Sequence, residues 1–360
     1  MLQQKNKYQY SVEIVGSCNL RCPSCPVGNM RDIKDERPTK LIETDLFYKI
    51  IDKITRETQS PNCFISVFDW GEPTLHPMLP KFIEYINNKG LKSRISSNLN
   101  HEADFRSIVK ANPTEFQISI SGFSSDIYSK THARGNIYKV KSHMYKLRQY
   151  ADQFKTNTEF QICYHVYKHN FDTDFEDMKK LAKELKFKFI PILAKLMPIE
   201  KNLFYIMKKD NKNYNNSLTG KIDITDDDEN LIKLLFVNPY NEYLNWKKQS
   251  KTKKQKLINY CTKREFKTPI RVDGSVGLCC AVYNTNLKVV NNFLDVPHEQ
   301  IHSLRKNNEY CGTCMKHGLH DNWKMKQSQF FFKNLLGNNF ISKIQRKIYK
   351  KIINLSLVTK

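Results

Sequence analysis

The sequence predicts an α/β protein: a partial parallel (β/α)6 TIM-like barrel followed by a small cysteine-bearing module. Three observations carry that expectation. Six strand-like runs alternate with helical patterns between Tyr10 and Leu193, the signature of parallel βα units. The rhythm breaks at Pro198. Eight of the ten cysteines fall into two groups, Cys18, Cys22 and Cys25 in the first repeat and Cys261, Cys279, Cys280, Cys311 and Cys314 beyond the last.

The elements follow in order. Residues 10–15 read as a strand that runs into the first cysteine loop, and 44–58 as an amphipathic helix. Residues 63–69 form a second strand, 78–88 a helix stopped by Gly90, and 92–97 a third strand. A helix over 103–111 ends at Asn112-Pro113, and a fourth strand covers 115–121. A long helix over 137–154, a strand over 159–167, a helix over 174–185 and a strand over 187–193 complete the set. In such a barrel the chemistry sits at the C-terminal ends of the strands.

The predicted organisation is a barrel at 1–197, a helical connector at 198–256, the second cysteine module at 257–323 and a basic tail at 324–360. In the connector, a helix opens after Thr225 with Asp226, Asp227, Asp228 and Glu229 in its first turn, where carboxylates suit the helix dipole. The tail has basic and no acidic residues. Phe340, Ile341, Ile344, Ile348, Ile352 and Ile353 make an apolar stripe opposite Lys343, Arg346, Lys347, Lys350 and Lys351. Docking on the chain's own barrel is the first explanation of that stripe, and peripheral contact with an anionic membrane the second.

A hydrophobic fraction of 40% supports a real core, and a mean hydropathy of −0.60 argues for a soluble chain. No run approaches the ~20 apolar residues of a membrane span, and the N-terminus lacks a signal-peptide pattern. The expected compartment is the cytoplasm, where ten cysteines mean metal, catalysis or burial rather than disulfides. The net charge of +23 suits an anionic partner. It is spread along a chain rich in Lys, Asn, Ile and Tyr with no Arg-rich motif, so nucleic acid is not the expected partner.

The first cysteine group reads Cys18-Asn-Leu-Arg-Cys22-Pro-Ser-Cys25. Three thiolates this close can bind three irons of a cubane and leave the fourth iron open; a zinc ion with a fourth ligand from elsewhere uses the same residue types. The stretch resembles the CxxxCxxC signature of the radical S-adenosylmethionine (SAM) superfamily, and later segments match in that family's order. Asp69-Trp70-Gly71-Glu72-Pro73 resembles its G-G-E-P turn, with Trp70 in place of the first glycine. Ser96-Ser97-Asn98 is similar to its polar third-strand end, and Ile118-Ser119-Ile120-Ser121-Gly122 to its I-S-x-D-G run. The resemblance implies a [4Fe–4S] cluster on Cys18, Cys22 and Cys25, and SAM bound by Gly71, Glu72, Pro73, Ser96, Asn98, Ser119 and Arg134. For the polar strand ends, local capping is a close rival. The residue before Cys25 is Ser24 where the family usually has an aromatic, and the fifth and sixth strands lack the glycine-rich adenine-contacting pattern.

The second group places Cys261 and Cys279 around an Asp273-Gly274 hairpin turn, with Cys311-Gly-Thr-Cys314 beyond. It resembles the front half of a SPASM extension, the shorter "twitch" variant. That implies a second, auxiliary [4Fe–4S] cluster closed by Cys261, Cys279, Cys311 and Cys314; structural zinc is the alternative. Cys280 and Cys163 are candidate hydrogen-atom donors to a substrate radical, with simple burial the first reading for both.

The functional expectation is an oxidoreductase or epimerase that makes a 5′-deoxyadenosyl radical and acts on a carbohydrate-type, phosphate-linked substrate. A peptide-modifying maturase is the alternative, and a non-catalytic zinc- or nucleic-acid-binding protein the alternative of another class. The resemblance also implies a flavodoxin- or ferredoxin-like electron donor.

Overall fold

The computed structural model describes residues 8–29, 37–58, 63–211, 222–250 and 260–320. The amphipathic stripe of the tail lies outside the described residues. Nine strands form one open sheet in the order β6-β5-β4-β3-β2-β1-β7-β8-β9. The barrel strands are β1 (Gln9–Val12), β2 (Phe64–Ser66), β3 (Lys92–Ser97), β4 (Glu115–Ile120), β5 (Glu159–Val166) and β6 (Lys188–Leu193). Each runs parallel to its neighbour. The helices between them are α1 (Pro26–Asn29), α2 (Thr44–Glu57), α3 (Leu79–Asn88), α4 (Phe105–Lys110), α5 (Ser125–Ser129), α6 (Ile137–Phe154) and α7 (Thr173–Glu184). The sheet is unclosed: a partial barrel, as the alternation of strand and helix predicts.

The connector holds α8 (Ile199–Asp210), α9 (Asp226–Leu234) and α10 (Pro239–Ser250). Helix α9 opens on a capping box: the Thr225 hydroxyl accepts from Asp228 N at 3.3 Å and Asp228 Oδ2 accepts from Thr225 N at 3.0 Å. The last described segment contains α11 (Thr262–Phe266), β7 (Lys267–Ile270), β8 (Val276–Gly277), β9 (Lys288–Val290), α12 (His298–Lys306) and α13 (Glu309–Lys316). The Asp273-Gly274 turn is a hairpin, with Gly274 at φ +83° and Arg271 N bonded to Ser275 O at 2.9 Å. Strand β7 pairs parallel with β1, so the second cysteine module begins as an extension of the barrel sheet.

The two sheet faces differ sharply. Tyr10, Val12, Ile65, Ile95, Phe116, Ile118, Ile120, Ile162 and Tyr164 are buried in one core with Phe47, Ile50, Phe82 and Leu147 of the helices. The alternate positions point inward by the period of two and are largely polar. Gln9 donates to Ser66, Arg94 to Glu115 and Gln117 to Gln161 at 2.6, 2.6 and 3.1 Å. Cys163 pairs in register with Ser119 on this inner face. Among the described residues no helix is long and apolar enough to cross a membrane.

Candidate cofactor site

The first cysteine loop leaves the C-terminal end of β1 and runs into α1. Cys25 N bonds to Cys22 O at 3.1 Å, and Gly28 N to Cys25 O at 2.9 Å. Gly28 is required here, because a Cβ would lie 2.4 Å from Cys22 O. Burial pushes the Cys18 thiol up to about 12, with the Glu72 carboxylate adding to the shift. Burial raises Cys22 and Cys25 too, and Cys22 feels the charges of both other sulfurs. Three clustered thiolates of this kind need a cation among them. Iron would supply one, and two N–H groups support the first sulfur: Leu20 N and Asn98 Nδ2 approach Cys18 Sγ at 3.4 and 3.5 Å.

The structure brings the distant motif segments to this loop. Glu72 N bonds to Ser17 O at 2.9 Å, and a Cβ on Gly71 would lie 1.8 Å from Val15 O. The G-E-P turn is therefore welded to the cysteine loop. The Glu72 carboxylate accepts from Thr74 N at 3.1 Å, Thr74 Oγ1 at 2.7 Å and Asn98 N at 2.8 Å. It thus caps the short turn from Pro73 and ties it to the end of β3. Ser96 sits on the inner sheet face, and the Ser119 hydroxyl pairs with His165 Nε2 at 3.0 Å. Arg134 is exposed, on left-handed backbone at φ +70°, next to Ala133, whose carbonyl accepts from Arg21 N of the cysteine loop at 3.1 Å.

The sequence reading missed the charges around this turn. Glu13 is an acid within an apolar strand run, and that was its only signal. Its carboxylate takes both bonds of a forked pair from Arg37 Nη2, at 2.9 and 2.8 Å, and a third from Trp70 N at 3.1 Å. Arg37 also lies 3.9 Å from Asp69 and 4.7 Å from the centre of the Tyr283 ring. Burial, then the Glu13 charge, pushes Asp69 up to about 8. Burial holds His132, just beyond α5, down at about 3 and His165, on β5, at about 4, so both are neutral.

The second cysteine group lies across Tyr283 from the first: Trp70 and Tyr283 rings meet edge-on at 6.2 Å, and Tyr283 packs in one cluster with Cys18, Cys25 and Trp70. Cys261, Cys279, Cys311 and Cys314 line a single small cavity walled by Ile199, Leu278, Val282 and Tyr310. Cys311 and Cys314 are one turn apart on α13, hence on one face. Burial raises both. Cys280 is hydrogen-bonded to its neighbour Cys279. Among the described residues no three His, Cys, Asp or Glu side chains gather about one point as a single metal ion demands. Sets made of cysteine alone serve structural zinc and iron–sulfur clusters alike. The donor sets suit a cluster.

Residues 12–182 match the family model of the radical SAM superfamily. They form a radical SAM domain. That superfamily uses a [4Fe–4S] cluster and SAM, and the residues above fit both. A curated relative, the tungsten-containing aldehyde ferredoxin oxidoreductase cofactor-modifying protein of Pyrococcus furiosus, is 30% identical over 92 residues, 26% of this chain. The match spans 24% of that relative's length. Among solved structures, anSMEcpe with bound AdoMet is similar at TM-score 0.52 and 16% identity, over 84% of this chain and 82% of that one. SuiB of Streptococcus suis, bound to the precursor peptide SuiA, is similar at TM-score 0.51 and 12% identity, over 86% of this chain and 66% of that one.

Proposed function

We propose that the chain is a radical SAM enzyme with two [4Fe–4S] clusters, one on Cys18, Cys22 and Cys25 and an auxiliary one on Cys261, Cys279, Cys311 and Cys314. The observation that carries this reading is the convergence of the cysteine loop, the Gly71-Glu72-Pro73 turn and Asn98 at the C-terminal ends of β1, β2 and β3. When bound, the reduced first cluster and SAM supply a 5′-deoxyadenosyl radical, which removes a hydrogen atom from an unactivated carbon. The chain's own residues orient and enclose. Gly71 and Glu72 hold the turn against the loop, Asn98 supports Cys18, and the inner sheet face offers the substrate a polar wall from Gln117, Ser119, Gln161 and His165.

Such a wall suits a hydroxyl-rich substrate, so oxidation or epimerisation of a carbohydrate-type molecule is the reading we favour. In oxidation the auxiliary cluster would accept the electron left on the substrate radical as its hydroxyl proton departs to solvent. In epimerisation Cys280 returns a hydrogen atom, and Cys163, on the inner face, is the other thiol available. A flavodoxin- or ferredoxin-like donor reduces the first cluster. A second reading, a peptide maturase, draws on the similarity to SuiB and anSMEcpe. The test is anaerobic reconstitution followed by reduction with dithionite. The wild type forms 5′-deoxyadenosine and Cys22→Ala does not; equal formation by both refutes the assignment.

A further inference from the structure

Outside the cysteine sites, the described part of the molecule carries a pocket that neither the cofactor nor the cysteines use. It sits on the rim, where Lys168 follows the C-terminal end of β5, and helices α8, α9 and the start of α10 wall it. Its volume is about 350 Å³, within the range of small-molecule sites. A second chamber of about 260 Å³ adjoins it and shares Tyr205, Lys209 and Glu229.

The lining has a definite chemistry. Lys168, Lys209 and Lys233 line the first chamber with one carboxylate, Glu229, a surplus of two positive charges from three ammoniums against one acid; the Lys233 ammonium donates to Asn230 Oδ1 at 3.0 Å and that of Lys209 lies 5.7 Å from the centre of the Tyr205 ring. The Lys168 ammonium donates one bond to Lys233 O at 2.9 Å; an ammonium has three donors, so two remain for an anion. Tyr205 and Phe236 supply ring surface, and the Tyr205 hydroxyl accepts from Asn238 Nδ2 at 3.4 Å. Ile232 and Leu235 close the floor. Compact ammonium charges beside flat aromatic surface suit a phosphorylated molecule that carries a ring.

The pocket does not open onto the reacting centre. Tyr167, next to Lys168, is buried with Ala194, Leu196 and Leu231 and hydrogen-bonded to Ser24 of the cysteine loop. A layer of side chains therefore separates the ammoniums from the cysteines. We propose that this pocket is an anchoring site for the diphosphate of a nucleoside diphosphate-linked substrate, holding the part that does not react while the sugar reaches over the rim. The proposal rests on the carbohydrate reading above. Tight binding of a remote, unreactive group is a way to position the reacting one.

Uridine diphosphate is the probe, titrated calorimetrically into the reconstituted full chain, with hexaglutamate as a competing probe. The expected result is one saturable site that Lys209→Glu and Lys233→Glu each weaken about tenfold, the scale of a charge reversal a few ångströms from a phosphate near a protein surface. Lys81→Glu and Lys110→Glu change net charge equally at exposed positions elsewhere and should shift affinity less than about twofold. The proposal is overturned if uridine diphosphate does not bind, if the two pairs of variants weaken it equally, or if hexaglutamate binds more tightly at the same site. Formation of 5′-deoxyadenosine is independent of all three outcomes, so the anchor can fail while the radical SAM reading stands.

Discussion

Removing Arg37 should damage the molecule severely. In Arg37→Met the Glu13 carboxylate, whose side chain is 1% exposed, keeps only the Trp70 N–H bond and loses both bonds from the guanidinium. Tyr283 loses the cation over its ring and a donor to its carbonyl. Breaking a buried ion pair from one side costs about 3–5 kcal/mol, because the remaining charge is uncompensated. With a denaturant slope of about 3 kcal/mol per M urea, the unfolding midpoint should fall by about 1–1.7 M. Urea titration followed by far-ultraviolet circular dichroism measures it. Adding Glu13→Gln should restore part of the loss, since it removes the stranded charge. A loss under about 1 kcal/mol, the worth of an exposed pair, refutes the reasoning. So does strict additivity of the two substitutions, which would mean that the pair is not coupled.

Three more outcomes follow from the same geometry. Gly71→Ala places a Cβ within 1.8 Å of Val15 O, so SAM affinity measured by equilibrium dialysis should fall at least ~10-fold through displacement of the turn; an unchanged affinity contradicts the site. In Cys279→Ala the iron content should drop by about half, one cubane of two, while 5′-deoxyadenosine still forms; full iron content argues against the auxiliary cluster. Finally, His132 is held down at about 3 by burial, against about 6.5 in the unfolded chain. The unfolded state takes up the proton first as pH falls, so stability present above pH 6.5 is lost progressively toward pH 3. Between pH 7 and 5 the loss from this residue is about 2 kcal/mol. His132→Gln should flatten that slope, and an identical slope in the variant rules out the histidine.

Much of this was legible because it is local. The alternation of β-branched runs with amphipathic stretches placed all six barrel strands. Thr225 followed by four acidic residues announced the start of α9, since carboxylates suit the first turn of a helix. The CxxxCxxC spacing confines three thiols to one loop, and Asp273-Gly274 dictates a hairpin because glycine there must adopt positive φ. What the sequence concealed depends on partners far apart in the chain. Arg37 shows no pattern of its own; it matters because folding sets it between Glu13, Asp69 and Tyr283. Glu72 carries a recognisable motif, yet its carboxylate is occupied by Thr74 and Asn98.

By itself, then, the sequence determined the order of elements and the grouping of the cysteines, because covalent spacing and side-chain period act over a few residues. Tertiary structure alone decided that β7 joins the barrel sheet beside β1, that Trp70 and Tyr283 meet between the two cysteine groups, and that three lysines from different segments face one pocket. Those outcomes turn on burial and long-range pairing, where the free energy belongs to the assembled molecule and no short stretch of chain encodes it.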